Sequence, residues 1–95
     1  MAFYVYMLAS SRNGTLYVGM ADDLARRIHE HKDGAIAGFT KRYGVKTLVW
    51  FEEHLSRDDA RRRERQLKKW DRKWKLRLIE ASNPDWHDLL PEFEA

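Results

Sequence analysis

Two short runs with alternating apolar side chains flank an Asn-Gly pair near the start of the chain. The runs cover residues 3–8 and 15–20, and their period of two is that of a β-strand. Asn13-Gly14 between them favours a type I′ turn, because both residues tolerate a positive φ. The sequence therefore predicts an N-terminal β-hairpin in which Arg12 lies opposite Thr15.

The register of this hairpin decides which side chains share a face. With Arg12 opposite Thr15, the numbers of paired residues sum to an odd total, and any odd total puts Tyr6 and Tyr17 on one face. A slip of one residue would separate the two tyrosines. Gly19 on the same face would leave a gap beside Tyr17.

A helix and a loop are predicted after the hairpin. Either of the two aspartates before Leu24 can cap a helix that runs to about Lys32 and ends at a glycine. Residues 34–44 contain three glycines and have no clean period. This pattern predicts a loop with Lys41 and Arg42 near its tip.

The second half of the chain predicts one more strand and further helix. Residues 45–52 contain four successive large apolar side chains, which is typical of a strand buried on both faces. Ser56 can cap a helical region over residues 58–81, either as one long helix or as two with a break near Asp71. The acidic tail, residues 83–95, is expected to pack its apolar side chains against the body.

Chain length and residue types limit the class of protein. Ninety-five residues fit a single domain, residues 1–95, and the absence of cysteine excludes a disulfide framework, a thiolate metal site and a cysteine nucleophile. No apolar run approaches the roughly 18 residues of a membrane span. We therefore expect a soluble cytoplasmic protein without a membrane partner.

Charge is unevenly divided along the chain. The net charge is +3, but residues 56–77 carry eleven Lys or Arg against four Asp or Glu, so the remainder is acidic. Such a split points to a polyanion on one face, with nucleic acid as the first candidate. A basic helix face that is simply solvated is the alternative.

One carboxylate falls among predicted core positions. On a helical wheel Glu64 lies about 40° from Ala60, inside the apolar sector that also contains Leu67, Trp74 and Leu78. A carboxylate buried there costs several kcal/mol unless it is paired or bound to a cation. Glu64 is therefore expected at the edge of a cleft, facing a positive group; a salt bridge to a neighbouring arginine is the alternative.

The first helix carries a similar pair beside its buried stripe. Arg27 and His31 are one turn apart, next to Leu24 rather than opposite it. An arginine there could hold a phosphate, and the histidine could bind the same group or move a proton. The alternative is a snorkelling arginine and an interfacial histidine. A zinc site is disfavoured, because His29 and His31 cannot both face one metal.

The chain resembles the GIY-YIG nuclease superfamily in YVYML with LYVGMADDLARRIHEH, then in GFTKRYGVKTLVWFE and ARRRERQLKKWDRKWKLRLI. It is most similar to the small single-domain bacterial members, homologous to the nuclease module of the excision-repair incision subunit. The resemblance covers about residues 3–82. Two features depart from the family pattern: the first motif reads Tyr4-Val5-Tyr6 instead of Gly-Ile-Tyr, and Leu76 stands where some members have an asparagine.

The resemblance implies an α+β fold, with a three-stranded antiparallel sheet made of the hairpin and a third strand and flanked by helices. It implies metal-dependent cleavage of DNA phosphodiester bonds. The implied catalytic residues are Tyr6, Tyr17, Arg27, His31 and Glu64, and Glu64 would hold Mg²⁺ or Mn²⁺. The general base stays open between Tyr6, Tyr17 and His31.

Six basic residues are expected to bind nucleic acid, DNA rather than RNA: Lys41, Arg42, Arg61, Lys68, Lys69 and Lys73. Two other functions fit the same sequence. One is a nucleic-acid-binding module of this fold without catalysis, and the other is a protein-interaction domain that uses the aromatic residues and the acidic tail.

Overall fold

Residues 2–95, which the computed structural model describes, form three strands and five helices. The strands are β1 (Phe3–Ala9), β2 (Leu16–Ala21) and β3 (Thr47–His54), and the helices are α1 (Leu24–Lys32), α2 (Phe39–Tyr43), α3 (Arg57–Lys69), α4 (Arg72–Ser82) and α5 (Leu90–Glu94). The strands pair in the order β2-β1-β3, and both pairings are antiparallel. The predicted α+β fold with a three-stranded antiparallel sheet and flanking helices is confirmed.

The hairpin turn differs from the prediction, whereas the side chains on each face of the hairpin are as predicted. Ser10, not Arg12, lies opposite Thr15, and its amide donates to the Thr15 carbonyl at 3.0 Å. The loop therefore has four residues, with Asn13 at a φ of 58°, so the predicted two-residue turn is wrong. Because the observed pairing differs from the predicted one by two residues, the numbers of paired residues still sum to an odd total. Tyr6 and Tyr17 therefore stay on one face.

The central strand β1 is buried on both faces because helices cover each side of the sheet. One face, which we call the α3 face, packs Val5, Met7 and Ala9 of β1 with Ala60 and Leu67 of α3. The opposite face, which we call the α1 face, packs Tyr6 and Leu8 of β1 with Leu24 and Ile28 of α1 and Leu90 of α5. Alternation along β1 thus divides the core into two layers.

A bulge explains the apolar run in β3. Met7 lies opposite Trp50 while Leu8 lies opposite Leu48, which leaves Val49 as the extra residue. Leu48 therefore joins the α1 face, and both Val49 and Trp50 join the α3 face. All three are buried as predicted, whereas Phe51, the fourth residue of the run, is only partly buried.

The helix starts follow the predicted caps. Asp23 accepts a hydrogen bond from the Arg26 amide at 3.2 Å, and Ser56 accepts one from the Asp59 amide at 3.1 Å. The helical region after Ser56 is two helices, because Trp70 has an extended conformation with φ −68° and ψ 146°.

Two predictions for the helices are wrong. The segment predicted as a loop contains α2, a helix of five residues bounded by Gly38 and Gly44 at positive φ, and this length is too short to show a helical period. Trp74 is 54% exposed instead of buried, because the extended Trp70 resets the phase of α4. Ile79 is consequently the buried residue of α4.

The tail packs against the sheet as expected. Trp86 and Leu90 are buried, and the Leu89 amide donates to the Leu48 carbonyl of β3 at 2.8 Å. The buried Asn83 amide donates to the carbonyls of Val49 and His87. Residues 83–95 are thus attached to the outer side of β3.

Candidate active site

A chain of hydrogen bonds lies on the α1 face between the sheet, α1 and α2. His31 Nε2 is 3.2 Å from Tyr6 Oη, and His31 Nδ1 is 3.0 Å from Thr40 Oγ1. The histidine is only 3% exposed. Both ring nitrogens are therefore held, and the imidazole has one orientation.

The two tyrosines of the hairpin meet over Gly19. A Cβ atom at residue 19 would lie 2.5 Å from Tyr6 Cζ and 2.9 Å from Tyr17 Cε2, closer than these atoms can approach. The expected gap is therefore filled by the Tyr6 ring. The Tyr17 ring lies 6.3 Å from that of Tyr6 and 5.5 Å from that of His31, so three rings form one cluster.

Burial sets the protonation states inside the cluster. Burial raises the pKa of the Tyr6 phenol; the neighbouring Tyr17, then Glu64 and Glu30, add to the rise, while Arg27 opposes it. Tyr6 is therefore a protonated phenol at neutral pH.

The His31 imidazole responds in the opposite direction. Burial lowers its pKa, the charge of Arg27 lowers it further, and Glu30 partly offsets both effects. His31 is therefore a neutral imidazole at pH 7, with one ring nitrogen free of a proton.

Arg27 lies on α1, one turn before His31. Its guanidinium is half-exposed and its Nε is 3.3 Å from a carboxylate oxygen of Glu30. The charge of Arg27 lowers the pKa of both Tyr6 and His31.

Glu64 comes from α3, the helix on the other face of the sheet. The side chain is 20% exposed, and one carboxylate oxygen is 3.3 Å from Lys68 Nζ. The structure has the alternative that the sequence left open, a salt bridge, although the partner of Glu64 is a lysine instead of an arginine. Because α3 packs against both β1 and the edge strand β2, Glu64 can act on Tyr6, whose pKa it raises.

The carboxylates permit one kind of metal site. Among residues 2–95, no three His, Cys, Asp or Glu side chains lie together as a metal-binding group. A closed zinc site does not fit this donor set. Mg²⁺ does fit, because it keeps several waters and takes one or two carboxylates together with substrate phosphate oxygens. Glu64 is the carboxylate that could serve.

The six basic residues expected to bind nucleic acid fall into three groups. Lys41 and Arg42 are exposed on α2, Arg61, Lys68 and Lys69 on α3, and Lys73 on α4. Lys68 is already paired with Glu64. On the helical wheel Arg61 and Lys68 lie on the Glu64 side of α3, whereas Lys69 lies opposite the buried Ala60.

The family model described as the GIY-YIG catalytic domain matches residues 2–77. The chain belongs to the GIY-YIG family. GIY-YIG proteins form a family of nucleases that generally depend on a divalent metal. The predicted resemblance is therefore confirmed.

Relatives of this GIY-YIG protein are small proteins of similar length. A UPF0213 protein of Clostridium perfringens is 36% identical over 80 residues, covering 84% of this chain and 85% of that protein. A UPF0213 protein of Pseudomonas aeruginosa is 39% identical over 72 residues, covering 76% and 69%. The solution NMR structure of a UPF0213 protein from Bacillus halodurans has a TM-score of 0.57 at 31% identity, covering 93% of each chain.

Thr40 and Phe39 join the cluster without a prediction from sequence. Thr40 bonds to His31, and the Phe39 ring stacks on Tyr17 at 6.5 Å with an interplanar angle of 28°. Both belong to α2, whose helical character five residues cannot signal. Had α2 been recognised as a helix, its packing partner would still have been unknown.

No helix among residues 2–95 is both long and apolar enough to cross a membrane.

Proposed function

We propose that this GIY-YIG protein is an endonuclease that hydrolyses DNA phosphodiester bonds with one divalent metal ion. The observation that carries the proposal is the cluster of Tyr6, Tyr17 and His31 on the α1 face, and the charges of Arg27 and Glu64 both act on the pKa of Tyr6. Hydrolysis of a phosphodiester needs a positioned water, a proton acceptor and positive charge at the phosphate oxygens. We further propose that residues 1–95 act as one domain in the cytoplasm, in keeping with the absence of cysteine.

Arg27 is proposed to bind the non-bridging oxygens of the scissile phosphate. Its ion pair with Glu30 is half-exposed, and pairs of this kind contribute little stability. The guanidinium can therefore leave Glu30 for a phosphate, which it can hold through two parallel hydrogen bonds.

Glu64 is proposed to hold Mg²⁺ or Mn²⁺. When bound, the metal would neutralise charge on the phosphate oxygens and lower the pKa of a coordinated water. The Lys68 side chain is half-exposed, so it can turn away from the Glu64 carboxylate.

The pKa directions favour one proton acceptor among the three candidates. A raised pKa makes the Tyr6 phenolate costly, whereas a lowered pKa keeps His31 neutral and able to accept a proton. Across their 3.2 Å contact, the Tyr6 hydroxyl can give its proton to His31 while it takes one from the attacking water. Tyr17, which is partly exposed, would orient that water.

A cleavage panel with Mg²⁺ or Mn²⁺ tests this function. Glu64→Ala and Arg27→Ala should each abolish detectable nicking of plasmid and oligonucleotide DNA, and Glu64→Ala should keep the DNA affinity of the wild type. Glu92→Ala is the matched control, because it removes an exposed carboxylate of α5 and should cleave normally. Metal-dependent cleavage that survives in Glu64→Ala would refute the metal role.

One observation favours a second candidate, a binding module without catalysis. The Lys68 ammonium already neutralises Glu64 at 3.3 Å, as a structural ion pair would. Under this alternative, the wild type binds DNA but cleaves no single-stranded, branched or nicked substrate with either metal.

A further inference from the structure

The exposed side of α2 carries two large aromatic rings that the proposed chemistry does not use. Phe39 is 47% exposed and Tyr43 is 50% exposed, although both are large apolar groups. They are four residues apart on one helix, so they lie on the same side, with ring centroids 4.9 Å apart. Together they form an open aromatic surface, which we call the α2 platform.

The α2 platform is positively charged. Lys41 and Arg42 line the same open groove as the two rings, and no acidic side chain lines it. Neither basic residue takes part in a salt bridge within residues 2–95, and the Arg42 guanidinium lies over the Tyr43 ring at 5.5 Å. Free positive charge next to flat rings suits a polyanion that also carries flat groups.

The α2 platform is continuous with the candidate active site. Phe39 stacks on Tyr17, whose ring is 5.5 Å from His31, and the Thr40 hydroxyl contacts His31 from the same helix. A nucleotide on Phe39 would therefore lie next to Tyr17, which is proposed to orient the attacking water. A protein interface is the less suitable occupant, because Lys is depleted in the cores of such interfaces.

We propose that the α2 platform stacks an unpaired base of the DNA substrate, so that the substrate is single-stranded at the cleavage position. This inference rests on the proposed function and adds the substrate class to it. Bases in a duplex are stacked on each other and present no free face, whereas an unpaired base can stack on an aromatic side chain. Lys41 and Arg42 would hold the backbone phosphates beside that base.

Binding measurements without metal test the platform. The probe is a 12-nucleotide DNA strand with 2-aminopurine at its centre, used alone and as a duplex, in buffer with EDTA. We expect the wild type to bind the single strand more tightly and to quench the 2-aminopurine. Phe39→Ala and Tyr43→Ala should each weaken single-strand binding roughly tenfold and reduce the quenching, with duplex binding unchanged.

Trp74→Ala is the matched control. It removes a ring that is equally exposed and that also lies under an arginine, Arg77 at 5.8 Å, but on α4. Single-strand binding should change less than twofold in this variant. Phe39→Trp should retain quenching, and Tyr43→Ala tests the platform without touching the Phe39 contact to Tyr17.

Equal losses on single strand and duplex, or quenching that persists in both alanine variants, would overturn the platform. Cleavage is measured separately with Mg²⁺. A wild type that cleaves duplex DNA without any effect of Phe39→Ala would leave the nuclease proposal standing and remove this one. Single-strand binding that depends on Phe39 and Tyr43, without cleavage, would support the α2 platform and remove the nuclease proposal.

Discussion

His31 has both ring nitrogens in hydrogen bonds and almost no contact with solvent. Tyr6 and Thr40 are its two partners, at 3.2 and 3.0 Å. A neutral imidazole has one donor and one acceptor nitrogen, so the Thr40 hydroxyl takes part in deciding which nitrogen faces Tyr6. Thr40 is therefore a positioning residue for the proposed proton acceptor.

Replacing Thr40 by valine keeps the side-chain shape and removes the hydroxyl. We expect Thr40→Val to lower the free energy of unfolding by about 1–3 kcal/mol, because a buried ring nitrogen loses its partner. Urea denaturation measures this, and the ¹⁵N shifts of the His31 ring should report a changed tautomer population.

Thr40→Ser supplies the control for this change. It keeps the hydroxyl and should restore the wild-type ¹⁵N shifts of His31. Unchanged ring shifts in Thr40→Val would show that the hydroxyl does not set the tautomer.

The lowered pKa of His31 gives the folding stability a pH dependence of known sign. Below about pH 6.5 an unfolded histidine takes up a proton more readily than the buried one, whose pKa lies lower. The unfolded state then binds more protons, so the free energy of unfolding should fall as the pH drops from 7 to 5.

The contribution of His31 is measured by comparing how steeply the free energy of unfolding changes with pH in the wild type and in a variant. In His31→Gln the decline of the free energy of unfolding with falling pH should be smaller than in the wild type. Urea titrations at several pH values provide the slopes. Equal slopes for His31→Gln and the wild type would contradict a buried neutral histidine.

At the scale of elements, α3 combines structural and electrostatic roles. Ala60 and Leu67 bury one side of the helix, Glu64 lies at its edge, and Arg61 and Lys69 stay exposed. Asp58 and Asp59 in its first turn and Lys68 and Lys69 in its last turn complement the helix dipole. The basic residues in the last turn of α3 are thus compatible with the stability of the helix even before DNA binds.

Neutralising two exposed basic residues of α3 should change the salt dependence of DNA binding. We expect Arg61→Gln with Lys69→Gln to reduce the slope of log K against log salt by about 1.8, because each lost phosphate contact removes about 0.9. Fluorescence anisotropy from low to moderate salt measures the slope.

The matched variant for this slope removes two exposed charges elsewhere, Arg12→Gln with Lys46→Gln. It should keep the wild-type slope. If both double variants reduce the slope equally, DNA is attracted by total charge and not by α3.

At the scale of the whole molecule, a buried side-chain amide helps to attach the tail to the sheet. Asn83 Nδ2 donates to the carbonyls of Val49 and His87, and Asn83 Oδ1 accepts from the His87 amide at 3.0 Å. This amide joins β3 to the segment that carries Trp86 and Leu90. The tail therefore completes the core on both faces of the sheet.

Asn83→Ala should destabilise the protein by about 2–4 kcal/mol. The variant leaves buried carbonyl and amide groups without partners, and each such group costs about 1–3 kcal/mol. Urea denaturation followed by tryptophan fluorescence gives the change. If residues 1–95 are one domain, as we propose, the transition should remain a single cooperative step.

His87→Ala is the control, because its side chain is exposed while its backbone keeps the bonds to Asn83. Its stability should stay within about 0.5 kcal/mol of the wild type. A loss as large as that of Asn83→Ala would show that the tail is held by His87 instead.

The sequence by itself determined the hairpin faces, the cap at Ser56 and an aspartate cap for α1, which it left open between Asp22 and Asp23. These features depend on local rules: alternation along a strand, hydrogen bonds within one turn, and the spacing of apolar residues on a helix. The predicted hairpin faces are correct although the predicted turn is wrong, because a register shift of two residues leaves every side chain on the same face. The family motif is similarly a matter of residue order.

Only the tertiary structure decided what those residues touch. The bond from Thr40 to His31, the Tyr6 ring over Gly19 and the stacking of Phe39 on Tyr17 join segments that are distant in the chain. Trp74 is exposed because the extended Trp70 interrupts the helix, and the spacing of apolar residues alone does not reveal this interruption. Such contacts follow from how elements pack in three dimensions, and no local pattern encodes that packing.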